Sequence, residues 1–284
     1  SYIFASETCA LDIVGATFIR EVENGEIVIV ENNKLNSIKP FPKQKPRPCV
    51  FEYIYFARPD SLIKNKCAYE YRKRLGSELA KETDLKADLV VPVPDYGVPA
   101  ALGYAEKSRK NFDLGLIRNH YVGRTFIEPT QNIRSLGVKL KLNSSKTIVK
   151  NKSIILIDDS LVRGTTCHKI VKMLYESGAK EVHVRIACPE IKYPDFYGVD
   201  MPTKEELLAN NKNNQEMCDY IKAKSLKFLS LEGLYTALIN EKRYANYPQF
   251  SDHYFTGNYP IEPQDKLKGV KIKQLSLLSG KSSS

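Results

Sequence analysis

No run of apolar residues in this 284-residue chain approaches the ~18 to 20 that a membrane-crossing helix needs, and no stretch resembles a cleavable signal. A membrane-crossing segment is therefore not expected. The six cysteines (Cys9, Cys49, Cys67, Cys167, Cys188 and Cys218) form no CxxC pair and show no metal-ligand spacing. That usage fits a reducing cytoplasm and gives no disulfide framework. The patterns GxxxxGK[ST] and GxGxxG are missing, which sets aside a P-loop and a dinucleotide fingerprint. There is no internal repeat, and no helix-turn-helix signal precedes the apolar strands, which counts against a DNA-reading module.

What is present is an ordinary globular composition, 42% hydrophobic and 27% charged, with core enough for one large domain or two small ones. The net charge of +10 is unevenly placed. Between Lys107 and Lys152 eleven Lys or Arg stand against two acids, Asp113 and Glu128. Such a field favours a polyanion, whether nucleic acid, a membrane surface or a heavily phosphorylated small molecule.

The chain starts at Ser1, and "SYIFASETCALDIVGA" reads as the interior of a domain. "EVENGEIVIVE" predicts a hairpin with its turn at Asn24-Gly25 and a strand over 27–30. The proline-rich, basic stretch "NKLNSIKPFPKQKPRPC" has linker composition and marks a boundary. "CVFEYIYFARPDSLI" is β-prone as far as Pro59, and "YEYRKRLGSELAKET" places Tyr71, Leu75 and Leu79 on one helical face. Beyond it the pattern becomes strand, helix, strand, helix, strand: "ADLVVPVP", "GVPAALGYAEKS", "SIILIDD", "TTCHKIVKMLYESGAK" and "EVHVRIACP". Continuous rather than alternating apolar strands predict an α/β fold, a parallel sheet with helices on both faces.

Within it, "IILIDDSLVRGTT" ends a buried strand on two adjacent acids. Ligands of open α/β sheets bind beyond the C-terminal strand ends. There the unpaired N–H groups and dipole of the next helix favour a phosphate. Ser160, Thr165 and Thr166 add hydroxyls, and Gly164 lets the backbone approach closely. Asp158 and Asp159 suit sugar hydroxyls or a divalent cation. Phosphate at one end and a diol at the other describe a ribose 5-phosphate.

"ILIDDSLVRGTT" resembles the PRPP loop of type I phosphoribosyltransferases. "NHYVGRTFIEPTQNIRSLGVKLKLN", "EIKYPDFYGVDMPTKEELLA" and "FEYIYFARPDS" narrow the resemblance to the amidophosphoribosyltransferase (glutamine PRPP amidotransferase) family. It runs from about residue 1 to 265. The resemblance implies transfer of ammonia, normally glutamine-derived, to C1 of PRPP, giving 5-phosphoribosylamine and pyrophosphate in the first committed step of purine (IMP) synthesis. Residues 1–33 would be the β-rich end of an Ntn-type glutaminase domain, 34–50 a linker, 51–265 the phosphoribosyltransferase domain, and 266–284 a basic tail. The glutaminase nucleophile would lie outside this chain, which could then use only free ammonia.

For the site, the resemblance implies that Asp158 and Asp159 hold the ribose hydroxyls and help bind Mg²⁺, while Ser160, Val162, Arg163, Gly164, Thr165 and Thr166 bind PRPP at its 5-phosphate. Residues 121–150 match a flexible loop that closes over PRPP, with Tyr121, Arg124 and Thr125 as catalytic candidates and Lys139 and Lys141 as weaker ones. Family members form homo-oligomers, and neither nucleic acid nor membrane is implied as a partner.

Three departures matter. The family pattern "KNRYVGRTF" is here Arg118 and His120, and His120 reads as a loop substitution rather than a base. A metal-binding Ser of some members falls in "PDYGVPAA", where Tyr96 and Gly97 stand. One branch carries a 4Fe-4S cluster on four cysteines. Cys49 resembles the first ligand, Asp195 occupies the second position, and "YPQFSDHYFTGNYP" offers no cysteine for the last two, so no cluster is expected. His168 and His183 read as structural. The competing readings are a nucleobase phosphoribosyltransferase, which would share the PRPP loop but not "YVGRTFI", and a PRPP-sensing regulator that binds nucleic acid.

Overall fold

The computed structural model describes residues 1–83, 85–119 and 141–262. The sheet that organises it is built from β5 (Leu89–Pro92), β8 (Ser153–Asp158), β9 (Glu181–Ile186) and β10 (Ser225–Phe228). Its order is β10-β9-β8-β5, every pair parallel, with Leu89 opposite Ile154, Ile154 opposite Val182 and Leu226 opposite Val184. Phe112 adds one parallel bridge on the free side of β5, at Val90. Leu89–Val91 and Ile154–Ile157 are buried throughout, as the continuous apolar runs predict for a sheet covered on both faces.

Ahead of the sheet come α1 (Thr8–Ile13), the strands β1 (Ile27–Glu31) and β2 (Lys34–Ile38), the short pair β3 (Leu62–Ile63) and β4 (Lys66–Cys67), and α2 (Ala68–Glu82). The crossovers and flanks are α3 (Val98–Ser108), β6 (Leu116–Arg118), β7 (Leu142–Ser144), α4 (Lys146–Val149), α5 (Thr165–Glu176), α6 (Leu208–Asn211), α7 (Asn214–Ile221), α8 (Leu231–Ile239) and α9 (His253–Thr256). From β5 the chain moves outward to Phe112 and returns to β8 on the other side. From β8 it continues away through β9 to β10. Right-handed crossovers that diverge from two neighbouring strands place α3 and α5 on opposite faces and leave a crevice between the ends of β5 and β8.

Helices α2 and α3 cross at two glycines. A Cβ on Gly76 would lie 1.8 Å from the Ala100 carbonyl oxygen, and one on Gly103 the same distance from that of Lys73. The backbones therefore touch, and this crossing sets how closely α3 approaches the sheet.

Three local expectations are corrected. The first hairpin does not turn at Asn24-Gly25. It turns at Asn32 and Asn33, both with positive φ, which joins β1 to β2 in the two-residue manner that suits twisted strands. Lys34–Ile38, placed in the linker by composition, is therefore a strand. "CVFEYIYF" is not extended: Glu52–Phe56 forms a turn of π-helix. Its aromatic residues are claimed by tertiary packing, Tyr53 edge-on to Tyr71 and Phe250, and Tyr55 tilted 4.4 Å from Tyr96. Buried Arg72 donates to the carbonyls of Glu52, Tyr53 and Ala57, which replace partners that a strand would have found in a sheet. Apolar periodicity also gives no sign of β10, whose sequence SLKF is short and half-polar.

Candidate active site

Asp158 is the last residue of β8, and Asp159 opens the connection to α5. The Asp158 carboxylate accepts the Asp159 backbone N–H at 3.0 Å, and the Ser160 hydroxyl donates to Asp159 Oδ1 at 2.6 Å. Ala187 N–H donates to the Asp158 carbonyl at 2.9 Å, which pins the strand end to β9. Burial raises the pKa of Asp158 well above the ordinary carboxylate range, and the neighbouring Asp159 raises it further. Burial also pushes Asp159 up to about 6, against the pull of Ser160 and the Arg72 guanidinium. Two desolvated like charges at a strand end are costly, and a cation or hydroxyl donors bound there remove the cost.

Seven residues on, the connection becomes a helix start. Leu161 is buried, and the Val162 carbonyl accepts the Leu208 N–H at 2.9 Å. Gly164 stands at the N-cap of α5 with φ +75°, where a Cβ would lie 2.7 Å from Leu208 and 3.1 Å from Tyr220. Thr165 and Thr166 are exposed in the first turn of α5, and no side chain caps that end. Arg163 is paired with Glu206 at 3.1 Å. The predicted residues 158–166 thus form one continuous cradle, acidic at one end and rich in N–H and hydroxyl donors at the other.

Across the crevice, the turn after β5 carries Asp95, Tyr96 and Gly97. A Cβ on Gly97 would lie 2.7 Å from the carbonyl oxygens of Ile157 and Val93, so the turn is packed directly on β8. The Tyr96 ring faces Tyr55, with the Arg72 guanidinium 6.0 Å from its centroid. Arg118 forms an ion pair with Asp95, which brings β6 and this departure residue to the mouth of the crevice. Tyr121, Arg124, Thr125, His120 and Lys139 lie outside the described residues. Lys141 is described, and 141–150 is regular structure: β7 pairs with β6 and is followed by α4. Sequence reasoning missed Arg72, Asp95, Glu206 and Leu208, whose signals are single residues in unrelated segments.

Among the described residues no group of three or more His, Cys, Asp or Glu converges as a metal site. The acidic pair offers two carboxylates, which fits a hard cation that takes its other ligands from substrate oxygens and water. The cavity of about 810 Å³ lies elsewhere, between residues 1–22 and the segment 48–63.

A second polar centre joins the positions discussed for the cluster. Cys49, Asp195, Ser251 and Tyr254 line one cavity, with Cys49 Sγ 3.3 Å from Tyr254 Oη. Asp195 accepts from the N–H groups of Tyr197 and Val199, both at 2.8 Å, and from His253 Nε2 at 2.7 Å. His253 Nδ1 is then the acceptor for the Ser251 hydroxyl at 3.3 Å. Burial lowers the pKa of His253, overriding Asp195. Burial acts to raise Asp195, but the two N–H groups and His253 outweigh it and hold its carboxyl below the usual range. His253 thus binds its proton less readily folded than unfolded, so its contribution is full above pH 6.5 and declines as pH falls from there. We expect the melting temperature to fall on acidification through that range, and His253→Gln to fall less steeply. Asp158 and Asp159 contribute with the opposite sign in both proteins, so the difference between the two curves isolates the His253–Asp195 pair.

A family model described as "Phosphoribosyl transferase domain" matches residues 64–219. The chain belongs to that family, and its parallel sheet with helices is that of the type I phosphoribosyltransferase fold. It is 55% identical to the amidophosphoribosyltransferase of Rhizobium etli over 283 residues, 98% of this chain and 57% of that one. The chloroplastic amidophosphoribosyltransferase of Vigna aconitifolia is 47% identical, across 93% of this chain and 53% of its own length. Among solved structures, the glutamine phosphoribosylpyrophosphate (PRPP) amidotransferase from B. subtilis, complexed with ADP and GMP, matches with TM-score 0.82 and 46% identity, covering 90% of this chain and 56% of that one. The chain therefore spans a little over half the length of these relatives.

Proposed function

We propose that this chain is the phosphoribosyl-transferring part of an amidophosphoribosyltransferase, an enzyme that joins ammonia to C1 of PRPP in the first committed step of purine synthesis. The observation that carries the reading is the continuous run from Asp158 to Thr166, desolvated acids at one end and an uncapped helix start at the other. The amidophosphoribosyltransferase names of relatives aligned along nearly the whole chain support ammonia as the acceptor.

In the reaction, the nitrogen lone pair forms the N–C1 bond while the bond from C1 to the pyrophosphate oxygen breaks and its electron pair leaves with pyrophosphate. Nitrogen then sheds one proton to solvent, so no protein base is required. Asp158 and Asp159 orient the ribose hydroxyls and would hold Mg²⁺, which supplies positive charge to the departing pyrophosphate. Main-chain N–H groups of 160–166, with Ser160, Thr165 and Thr166, hold the 5-phosphate. Tyr121, Arg124 and Thr125 are assigned to closing over PRPP. Positioning and exclusion of water carry most of the rate.

No helix among the described residues is long and apolar enough to cross a membrane, and the cytoplasm is the proposed location. Residues 1–33 are assigned to the end of a glutaminase domain. Supporting this, Ile3, Phe4, Ile13, Val14, Ile19, Val22 and Ile29 are exposed. The nucleophile that releases ammonia from glutamine is assigned to sequence outside this chain, and the assembly to a homo-oligomer. No 4Fe-4S cluster is assigned, because the second polar centre has one thiol, a carboxylate already satisfied three times and two hydroxyls, a donor set unlike four thiolates.

The test is pyrophosphate release from PRPP and Mg²⁺ with ammonia, glutamine, or a purine or pyrimidine base as acceptor. Turnover with ammonia alone is expected. Turnover with a base but not ammonia would support a nucleobase phosphoribosyltransferase instead, and glutamine-dependent turnover by this chain alone would refute the assignment of its first domain.

A further inference from the structure

The segment "PTKEELLA" lies far from the acidic loop in sequence but is built against its phosphate end. The Leu208 N–H donates to the Val162 carbonyl at 2.9 Å, and the Leu208 side chain covers Gly164 so closely that a Cβ there would lie 2.7 Å away. Leu207 is fully buried and anchors the segment from beneath. Glu206 sits in the 3₁₀ turn Lys204–Glu206, with its N–H on the Thr203 carbonyl at 2.9 Å. The Asn211 side chain closes that turn from the other side, donating to the carbonyls of Glu205 and Leu207. From this fixed platform Glu206 Oε2 meets Arg163 Nη2 at 3.1 Å.

An ion pair between two half-exposed side chains ordinarily contributes little, because both must be immobilised to make it. Here both backbones are already held, one by β8 and α5 and the other by the Leu208–Val162 bond. What remains is to select one direction for a long, flexible Arg beside a loop of N–H donors. A carboxylate next to a phosphate cradle is repulsive to the ligand, so its presence at this distance requires a compensating gain from the Arg it orients.

We propose that Glu206 is a positioning residue for substrate phosphate, holding Arg163 in the orientation that meets the 5-phosphate end of PRPP. This rests on the reading of residues 158–166 as a PRPP cradle. Glu206 itself need not touch the substrate.

The test measures binding of Mg²⁺–PRPP and of ribose 5-phosphate by calorimetry, with steady-state kinetics for ammonia, in wild type, Glu206→Gln, Arg163→Ala and the double variant. Glu206→Gln is isosteric and half-exposed, and unchanged melting will show that it folds. We expect it to weaken binding of both ligands about fivefold, the size of effect an oriented surface pair can carry. KM for PRPP should rise correspondingly with kcat little changed, and the double variant should bind no more weakly than Arg163→Ala alone. A merely structural role for Glu206 would give additive losses, which would overturn the proposal. So would unchanged or tighter binding by Glu206→Gln while wild type binds both ligands. Failure of wild type to bind either ligand would instead overturn the cradle reading, and the proposal with it.

Discussion

Asp158→Asn is expected to lower ammonia-dependent pyrophosphate release by about a hundredfold or more, while leaving the protein as stable as wild type or more so. The two effects have one origin. The carboxylate is half-buried and desolvated beside a second carboxylate, and both pressures favour its protonated form. Its folded pKa lies above its unfolded one, so its stabilising share is present at low pH and is lost as pH rises through the folded value. At neutral pH the ionised pair is a standing cost. Asparagine keeps the acceptor for the Asp159 N–H and removes the charge. The same charge is what a ribose diol and a magnesium ion require. Activity should therefore fall while the melting temperature holds or rises, a trade expected where a site is built of destabilising groups. Calorimetric melting with and without Mg²⁺–PRPP checks it: the ligand should raise the wild-type melting temperature and barely move that of the variant. A variant that melts lower than wild type without ligand would show that the pair is structural.

Gly164→Ala should cost at least tenfold in PRPP affinity and about 1–3 kcal/mol of stability. Two penalties combine. The backbone at φ +75° is left-handed, where an L side chain is strained, and the added methyl meets Leu208 at 2.7 Å and Tyr220 at 3.1 Å. Relief of either requires the helix start to move, and with it the N–H groups of the cradle. Adding Leu208→Ala makes room on one side and should recover part of the loss in urea unfolding, but not the backbone share. Full recovery would mean that the left-handed conformation is unimportant at this position.

Much of the sheet was legible because burial on both faces leaves an unmistakable signature: Leu89–Val91 and Ile154–Ile157 are apolar without interruption. The candidate site over 158–166 could be marked out for a similar reason, since its residues are consecutive and run from the end of a strand to the start of a helix. β10 was not, because four residues at a sheet edge carry too little pattern. Glu52–Phe56 was misjudged because β-branched and aromatic residues are enriched in strands only on average. Here the partners that decide its shape, Arg72, Tyr71 and Phe250, come from elsewhere in the chain.

By itself, then, the sequence determined the alternation of strand and helix, the location of the candidate site, and the family from contiguous motifs such as "ILIDDSLVRGTT". Tertiary structure decided what approaches that loop from a distance: Arg72 acting on Asp159, Arg118 on Asp95, Leu208 on Val162 and Gly164, Glu206 on Arg163. It also turned the scattered Cys49, Asp195, Ser251, His253 and Tyr254 into one hydrogen-bonded centre. The physical reason is the range of the interactions. Helix starts, turns and strand burial are set by neighbours a few residues away, whereas an ion pair or a backbone contact between segments exists only once the sheet has brought them within a few ångströms.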